Sequence, residues 1–255
     1  MTIIDSVILG IIEGVTEFLP ISSTGHLILG GKILGLPETE FLKSFEIIIQ
    51  LGAIAAVLFL FWKPFWKMEN LKKIIVGSIP TAFIGFGLYK IIKNELLGSE
   101  TVVLWALLLG GLFLIIFEYF YKGPDVPKEE VKDITYPQAF FIGIFQALAV
   151  IPGVSRSAAT IIGGLALGIP RSAIVRFSFM LAVPTIIGAT GLDIVNNHQA
   201  FARTDYGLLA IGFLTAFIVA IISIKFLLRY VEKNNFTPFG VYRIILALVF
   251  FLFII

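Results

Sequence analysis

The residues best suited to chemistry stand together near the N-terminus, in the stretch EGVTEFLPISSTGH (13–26). Glu13 and Glu17 are four residues apart, so on a helix both carboxylates project from one face, one turn from each other. Two adjacent carboxylates repel, and a site that keeps both either holds one protonated, as a general acid or base, or binds a cation between them. The alternative for this pair is a structural role, as helix caps or interface residues.

The same stretch continues with hydroxyl groups. Pro20 interrupts the helix, and the residues after it offer hydroxyls and backbone N–H groups: Ser22, Ser23, Thr24 and Gly25. Such a turn ahead of a helix is suited to binding an anion, especially phosphate. Ser and Thr can also form hydrogen bonds with the unpaired backbone groups where a helix is interrupted. His26 comes next, and an imidazole beside hydroxyls can act as a base, an acid or a nucleophile, or hold a structural hydrogen bond.

A second polar stretch, PGVSRSAAT (152–160), has the same character. Its candidate anion-binding residues are Gly153, Ser155, Arg156, Ser157 and Thr160. A guanidinium binds phosphate through two parallel hydrogen bonds, which gives Arg156 a reason to stand in an apolar segment. A salt bridge from Arg156 to Glu13 or Glu17 is the structural alternative.

Both stretches lie in a chain whose composition is typical of a membrane protein. Hydrophobic residues make up 58% of the 255 residues and charged residues only 14%, unlike soluble domains, and long uncharged runs recur. We therefore predict an all-α polytopic membrane protein. The net charge of +2 gives no indication of nucleic acid as a partner, and the absence of cysteine excludes disulfides and thiolate catalysis.

Six apolar stretches approach the length of about 20 residues that a membrane-spanning helix needs. These predicted spans cover residues 44–62, 74–92, 101–121, 174–194, 206–228 and 238–255. Two further apolar segments, 3–36 and 138–170, are interrupted by Pro, Gly, Ser and Thr. Non-helical backbone survives at membrane depth only where protein or a wet cavity surrounds it, so we predict re-entrant helical hairpins there. Arg156 is then the only arginine predicted deep in the membrane.

The two interrupted segments also resemble each other. Residues 10–37 align without gaps with residues 143–170, at a constant offset of 133, and nine of the 28 positions are identical. Each half of the chain is then a hairpin plus three spans, with residues 1–121 as the first repeat, 122–137 as a linker and 138–255 as the second repeat. Three spans reverse the chain direction, so we predict an inverted repeat, as in many transporters, whose two breaks meet near the midplane.

Basic residues orient this arrangement. Thirteen of them, including Arg171 and Arg243, fall on one predicted side, and five fall on the other: Lys32, Lys43, Lys90, Lys93 and Arg203. By the positive-inside rule the first side is cytoplasmic, which places the linker inside and the mouth of the first hairpin outside. His198 is predicted to lie in a solvated outer loop.

Taken together, these segments resemble a known family. EGVTEFLPISSTGH and PGVSRSAAT are similar to the two signature segments of the undecaprenyl-diphosphate phosphatases, the bacterial bacitracin-resistance proteins, and residues 45–57, 177–190 and 236–247 also match. The resemblance implies six spans and two re-entrant hairpins, often assembled as a homodimer. It also implies release of inorganic phosphate from a polyprenyl diphosphate lipid, undecaprenyl diphosphate. This reaction takes place at the outer face of the bacterial inner membrane, uses a divalent cation (Mg²⁺ or Ca²⁺) and recycles the carrier lipid of peptidoglycan synthesis.

The residues and the resemblance combine into one mechanistic hypothesis. Arg156 and the N–H groups of both breaks hold the phosphoryl oxygens, and the remaining hydroxyl and glycine positions help to bind them. Ser23 attacks and His26 serves as base or proton shuttle, while the competing assignment makes His26 the nucleophile. Glu17, with Glu13, binds the metal or tunes His26. The alternative function is an inverted-repeat transporter or flippase of an anionic lipid.

Overall fold

The computed structural model describes residues 1–88, 96, 99–123, 131–196 and 205–253. Within these ranges the chain is helical and contains no strand. Several predictions fall on positions outside them, namely the end of the second span, residues 124–130 of the linker, the last two residues, Lys90, Lys93, His198 and Arg203.

Eleven α-helices make up the described chain. They are α1 (Ile3–Thr16), α2 (Ser23–Ile33), α3 (Glu40–Leu60), α4 (Trp62–Phe65), α5 (Met68–Gly87), α6 (Glu100–Phe120), α7 (Tyr136–Ala147), α8 (Arg156–Ala166), α9 (Arg171–Asn196), α10 (Tyr206–Tyr230) and α11 (Thr237–Phe253). Short 3₁₀ turns cover Val131–Asp133 and Leu148–Val150.

Four of these helices are long and apolar enough to cross a membrane, judged by length and composition. They are α3, α6, the Arg171–Gly191 part of α9, and α10. Their outer faces carry exposed apolar side chains, among them Phe59, Trp105 and Ile222. An apolar surface of this kind is normal against lipid and unusual against water.

The other two predicted spans differ from the observed helices. The described part of α11 is 17 residues long. Helix α5 begins at Met68, six residues before the predicted start of the second span at residue 74. The lysines in this additional part do not terminate the helix. Lys73 is buried within α5 and pairs with Glu69 at 2.8 Å.

The two interrupted segments are pairs of short helices. Helices α1 and α2 are separated by residues 17–22, and α7 and α8 by residues 148–155. With 11 to 14 residues each, these helices are about 16–21 Å long, whereas the hydrocarbon core of a bilayer is about 30 Å thick. None of the four is therefore long enough to span a bilayer alone.

Each broken segment packs against the other half of the chain. Helix α1 lies against α10, and α7 lies against α5. The second contact is very close, because a Cβ atom on Gly143 of α7 would collide with the carbonyl oxygen of Gly77 in α5. Helices α3 and α9 also contact each other, as do α6 and α11. The two breaks are thus held inside a frame to which both halves contribute.

The last residue of each break has the same unusual backbone geometry. Ser22 (φ 71°, ψ 101°) and Ser155 (φ 75°, ψ 113°) are the non-glycine residues with positive φ in the described chain, and they occupy equivalent positions in the aligned segments. Each caps the helix that follows, since Ser22 Oγ accepts from Gly25 N at 3.4 Å and Ser155 Oγ from Ala158 N at 3.3 Å. Such strained backbone costs about 1–3 kcal/mol and is concentrated at functional sites.

Candidate active site

Two adjoining cavities lie where the breaks meet. The acidic cavity, of about 250 Å³, is lined by Glu13 and Glu46 among other residues. The arginine cavity, of about 270 Å³, is lined by Glu17 and Arg156 among other residues. Three residues line both cavities: Ser23, Thr24 and Gln50. The hydroxyl group predicted to attack therefore lies between the predicted cation ligand and the predicted phosphate ligand.

Glu17 joins the two breaks. Ser23 Oγ donates a hydrogen bond of 2.7 Å to Glu17 Oε2, and Arg156 Nη2 donates one of 3.1 Å to Glu17 Oε1. Its side chain is only 5% exposed, so this ion pair is well shielded from water. The salt bridge foreseen as the structural alternative for Arg156 is therefore present, and it links two of the predicted catalytic residues.

Arg156 keeps unused donor capacity. Its Nη1 group donates to the carbonyl oxygen of Ser178 at 3.0 Å, and its guanidinium lies 5.9 Å from the centre of the Phe18 ring. The buried Nε group has no hydrogen-bond partner among the described residues. A guanidinium with a free N–H beside a cavity is suited to a planar or tetrahedral oxyanion such as phosphate.

The predicted substrate-binding residues fall into two groups. On the wall of the arginine cavity lie Ser22, Thr24, Gly153 and Ser155. Behind that wall, Ser157 donates to the carbonyl oxygen of Leu19 at 2.9 Å, and Thr160 shares a 2.6 Å hydrogen bond with Ser178. Gly25 is also buried, and a Cβ there would lie 3.2 Å from Leu107. Ser157 therefore joins α8 to the first break, and none of these three residues lines either cavity.

Gly153 has a backbone reason to be glycine. Its φ is 92°, a region that other residues rarely adopt. A Cβ at this position would lie 2.8 Å from the carbonyl oxygen of Val103 in α6. The second break can therefore approach α6 only because this residue has no side chain.

His26 directs both of its ring nitrogens to groups other than Ser23. Nδ1 is 2.7 Å from the carbonyl oxygen of Ser22, and Nε2 is 2.7 Å from the hydroxyl oxygen of Tyr242. The two rings are stacked, with centroids 5.6 Å apart. His26 lines neither cavity, and no hydrogen bond joins it to Ser23 in the described chain. The role of His26 as base for Ser23 stays a prediction.

Glu13 is the strongest candidate ligand for a cation. It is fully buried, and neither carboxylate oxygen has a hydrogen-bond partner among the described residues. Glu17, its predicted co-ligand, is already bonded through both oxygens. The described residues contain no group of three His, Asp or Glu side chains close enough to enclose a metal ion. The free oxygens of Glu13, together with Glu46 and Gln50 on the same cavity, nevertheless match the oxygen ligands that Mg²⁺ and Ca²⁺ prefer.

Arg243 is the main residue that the sequence did not identify. Our charge assignment placed it on the cytoplasmic flank, but it is fully buried. Its guanidinium donates to Gly153 O and Val154 O at 2.9 Å and to Ala106 O at 2.8 Å, with longer contacts to Pro20 O and Leu107 O. The signal was its position inside the apolar run of α11, next to Tyr242. Arg243 ties both breaks to α6.

The fold and the site define a class of protein. In the described ranges, helices of which several are apolar and of membrane length enclose a polar cavity that holds a largely shielded arginine, a carboxylate and a serine. It is a multi-pass membrane protein whose cavity presents a guanidinium group, a side chain that is well suited to binding oxyanions.

Comparison with known proteins gives the family. Residues 6–249 match the bacitracin resistance protein BacA family, and the chain belongs to it. A protein of Sulfurihydrogenibium sp. (strain YO3AOP1) named undecaprenyl-diphosphatase is 49% identical over 252 residues, which cover 99% of each chain. Proteins of the same name from Persephonella marina and Aquifex aeolicus are 50% and 48% identical, over 99–100% of each chain. The family resemblance expected from the sequence is confirmed.

Proposed function

We propose that this protein hydrolyses undecaprenyl diphosphate to undecaprenyl phosphate and inorganic phosphate. The observation that carries the proposal is the contact of Glu17 with both Ser23 and Arg156, which brings a nucleophile, a base and an anion ligand from two breaks to one cavity. Relatives that are 48–50% identical over their full length carry the name of this activity.

The contacts suggest an order of events. The terminal phosphoryl group enters the arginine cavity, where Arg156 exchanges its contact with Glu17 for the phosphoryl oxygens. Ser23 Oγ then attacks the terminal phosphorus, its proton passes to Glu17, and the bond to the bridging oxygen breaks. Undecaprenyl phosphate leaves, and water releases the phosphoryl group from Ser23. Arg156 stabilises the charge that spreads over the phosphoryl oxygens.

A divalent cation belongs in the acidic cavity. Glu13 would hold it with both free oxygens, and Glu46 would face it across the cavity. Bound there, Mg²⁺ or Ca²⁺ supplies positive charge to neutralise the diphosphate. A buried carboxylate without a partner is otherwise costly, which is why Glu13 favours a cation.

The lipid tail has an apolar path out of the site. Besides its polar residues, the arginine cavity is lined by Val150, Ile151 and Ile186, and Ile151 is exposed on the outside of the molecule. A polyprenyl chain can follow these side chains into the surrounding lipid, while the diphosphate stays among the polar groups.

We also propose the full membrane arrangement of six spans and two re-entrant hairpins in an inverted repeat. Its support is the exchanged packing of α1 on α10 and α7 on α5, together with the paired geometry of Ser22 and Ser155. The ion pair of Glu118 with Arg171 joins two residues that the predicted topology places on the cytoplasmic side. The cavity then opens to the outer side of the bacterial inner membrane. A homodimer is the expected assembly, and light scattering in detergent tests it.

The test is phosphate release from undecaprenyl diphosphate by the purified protein in detergent, with added Mg²⁺ or Ca²⁺ and with a chelator. Removing a transition-state contact lowers the rate by about 100-fold or more, so we expect losses of that size in Arg156→Lys, Glu17→Gln and Ser23→Ala. Lysine keeps the charge of Arg156 but lacks its two-pronged geometry. Arg176→Lys, on the exposed side of α9, is the matched control and should retain full activity.

Two results would change the assignment. A folded parent protein that binds the lipid but releases no phosphate supports a transporter or flippase. A trapped phosphoenzyme on His26, with none on Ser23, moves the nucleophile to the histidine and rejects the order of events above.

A further inference from the structure

Gln146 lies in the arginine cavity with one side of its amide unused. It belongs to α7, is 2% exposed, and lines the cavity together with Glu17 and Arg156. Its Nε2 group donates to Thr81 Oγ1 at 2.9 Å, whereas its Oε1 atom is buried and has no hydrogen-bond partner among the described residues. A buried acceptor of this kind is unfavourable unless something donates to it.

The hydrogen bonds around Thr81 fix the orientation of this amide. Thr81 donates its only hydroxyl hydrogen to the carbonyl oxygen of Gly143 at 2.8 Å. Its oxygen can therefore only accept from Gln146, so the NH₂ group of Gln146 must face Thr81 and the Oε1 atom must face the other way. The free atom is thus an acceptor.

Because Gln146 Oε1 is an acceptor, the oxygens of the phosphoryl group cannot be its hydrogen-bond partners. Phosphoryl oxygens are acceptors too and repel Oε1, whereas Arg156 has an unused N–H to receive them. The donor that the reaction itself brings to the cavity is water. We propose that Gln146 positions the water molecule that removes the phosphoryl group from Ser23, by accepting one of its hydrogens. A glutamine that orients an attacking water is an established device in nucleotide hydrolases.

The duplicated position supports a separate role for Gln146. It aligns with Glu13 in the other half at the same offset of 133. Both side chains are buried and both present oxygen atoms without partners. The charge of Glu13 suits a cation, while the neutral amide of Gln146 can hold water beside a phosphoryl group without adding negative charge.

This water-dependent release rests on the proposed function, in which Ser23 carries the phosphoryl group. The water oxygen attacks the phosphorus, and the bond between phosphorus and Ser23 Oγ breaks with its electron pair on Oγ. Glu17 still holds the proton that Ser23 gave up in the first step, and it returns that proton to Ser23 Oγ through the 2.7 Å hydrogen bond seen between them. Glu17 takes one proton from the attacking water in exchange and then loses it to solvent, which restores the starting carboxylate. Inorganic phosphate leaves, and Gln146 neither gains nor loses a proton.

Gln146→Leu tests this role in the full-length protein with undecaprenyl diphosphate. Leucine fills the space but cannot accept a hydrogen bond. We expect kcat and KM to fall together by about 10- to 100-fold with kcat/KM within about twofold of the parent, because only the release of the phosphoryl group from Ser23 is slowed. A rapid-quench experiment should show a burst of undecaprenyl phosphate, equal to the enzyme concentration, before inorganic phosphate appears.

Variants of Thr81 provide the control and the second test. Thr81→Ser keeps the hydroxyl and should behave as the parent, whereas Thr81→Val frees the amide to rotate and should lower kcat and KM together, with kcat/KM unchanged. If Gln146→Leu does not fold, the comparison of these two variants decides. A large rise in KM with unchanged kcat, an unaltered kcat, or the absence of a burst overturns the proposal. A parent that releases no phosphate at all rejects the proposed function instead.

Discussion

Replacing Arg243 by methionine tests whether one buried guanidinium holds the two breaks in place. Three of its hydrogen bonds, to Ala106 O, Gly153 O and Val154 O, are 2.8–2.9 Å long. Methionine fills similar space, removes the buried charge and leaves those carbonyl groups without donors. Each hydrogen bond to a charged group contributes about 1.5–3 kcal/mol, and removing the buried charge offsets part of the loss, so we expect a net cost of about 3–5 kcal/mol. For a chain of this size that corresponds to a fall in melting temperature of about 6–20 °C.

The assay is thermal unfolding in detergent, followed by helical circular dichroism, together with phosphate release. Arg243→Met should also lose most of its activity at a temperature where it is still folded, because Gly153 lies on the wall of the arginine cavity. Arg229→Met, at the exposed end of α10, is the matched control and should unfold with the parent. If Arg243→Met unfolds at the parent temperature and keeps full activity, the guanidinium does not hold the breaks.

Two further predictions concern contacts around the same frame. Tyr242→Phe keeps the ring that stacks on His26 but removes the 2.7 Å hydrogen bond to Nε2, so we expect kcat to change by less than about threefold; a loss near 100-fold in the phosphate assay would point to chemistry at the histidine. Gly143→Ala should lower the melting temperature, because the new methyl group collides with the backbone of α5, whereas Gly188→Ala meets nothing within 4 Å and should be neutral.

The sequence was sufficient for the helices and for the positions of both breaks, because long apolar runs and Pro-Gly interruptions act locally. Its errors were also local in origin. The second predicted span began at residue 74, but α5 begins at Met68, and Lys73 is paired with Glu69 inside the helix. Arg243 was assigned to a flank because charge alone does not reveal that its partners are carbonyl groups far away in the chain.

For the site, the sequence identified the residue types but not their directions. The sequence predicted that the two similar breaks meet, and in the structure Glu17 contacts both Ser23 and Arg156. It did not separate the residues that face the cavity from Ser157 and Thr160 behind it. That distinction depends on which side of a helix turns inward, and in these two polar turns no apolar stripe marks it.

The two aligned breaks have the same backbone geometry but different side chains, and this difference makes the site asymmetric. Ser22 and Ser155 adopt nearly the same positive φ, so the next residue of each segment starts its helix from the same geometry. Those next residues are Ser23 and Arg156, and both reach Glu17, which has Val150 at its own equivalent position. The backbone geometry is kept in both halves while the side chains differ: a serine on one side, an arginine on the other, and one carboxylate between them. A carrier that binds its cargo equally from two directions has no need of that difference, whereas transfer of a phosphoryl group from a lipid to a serine requires it.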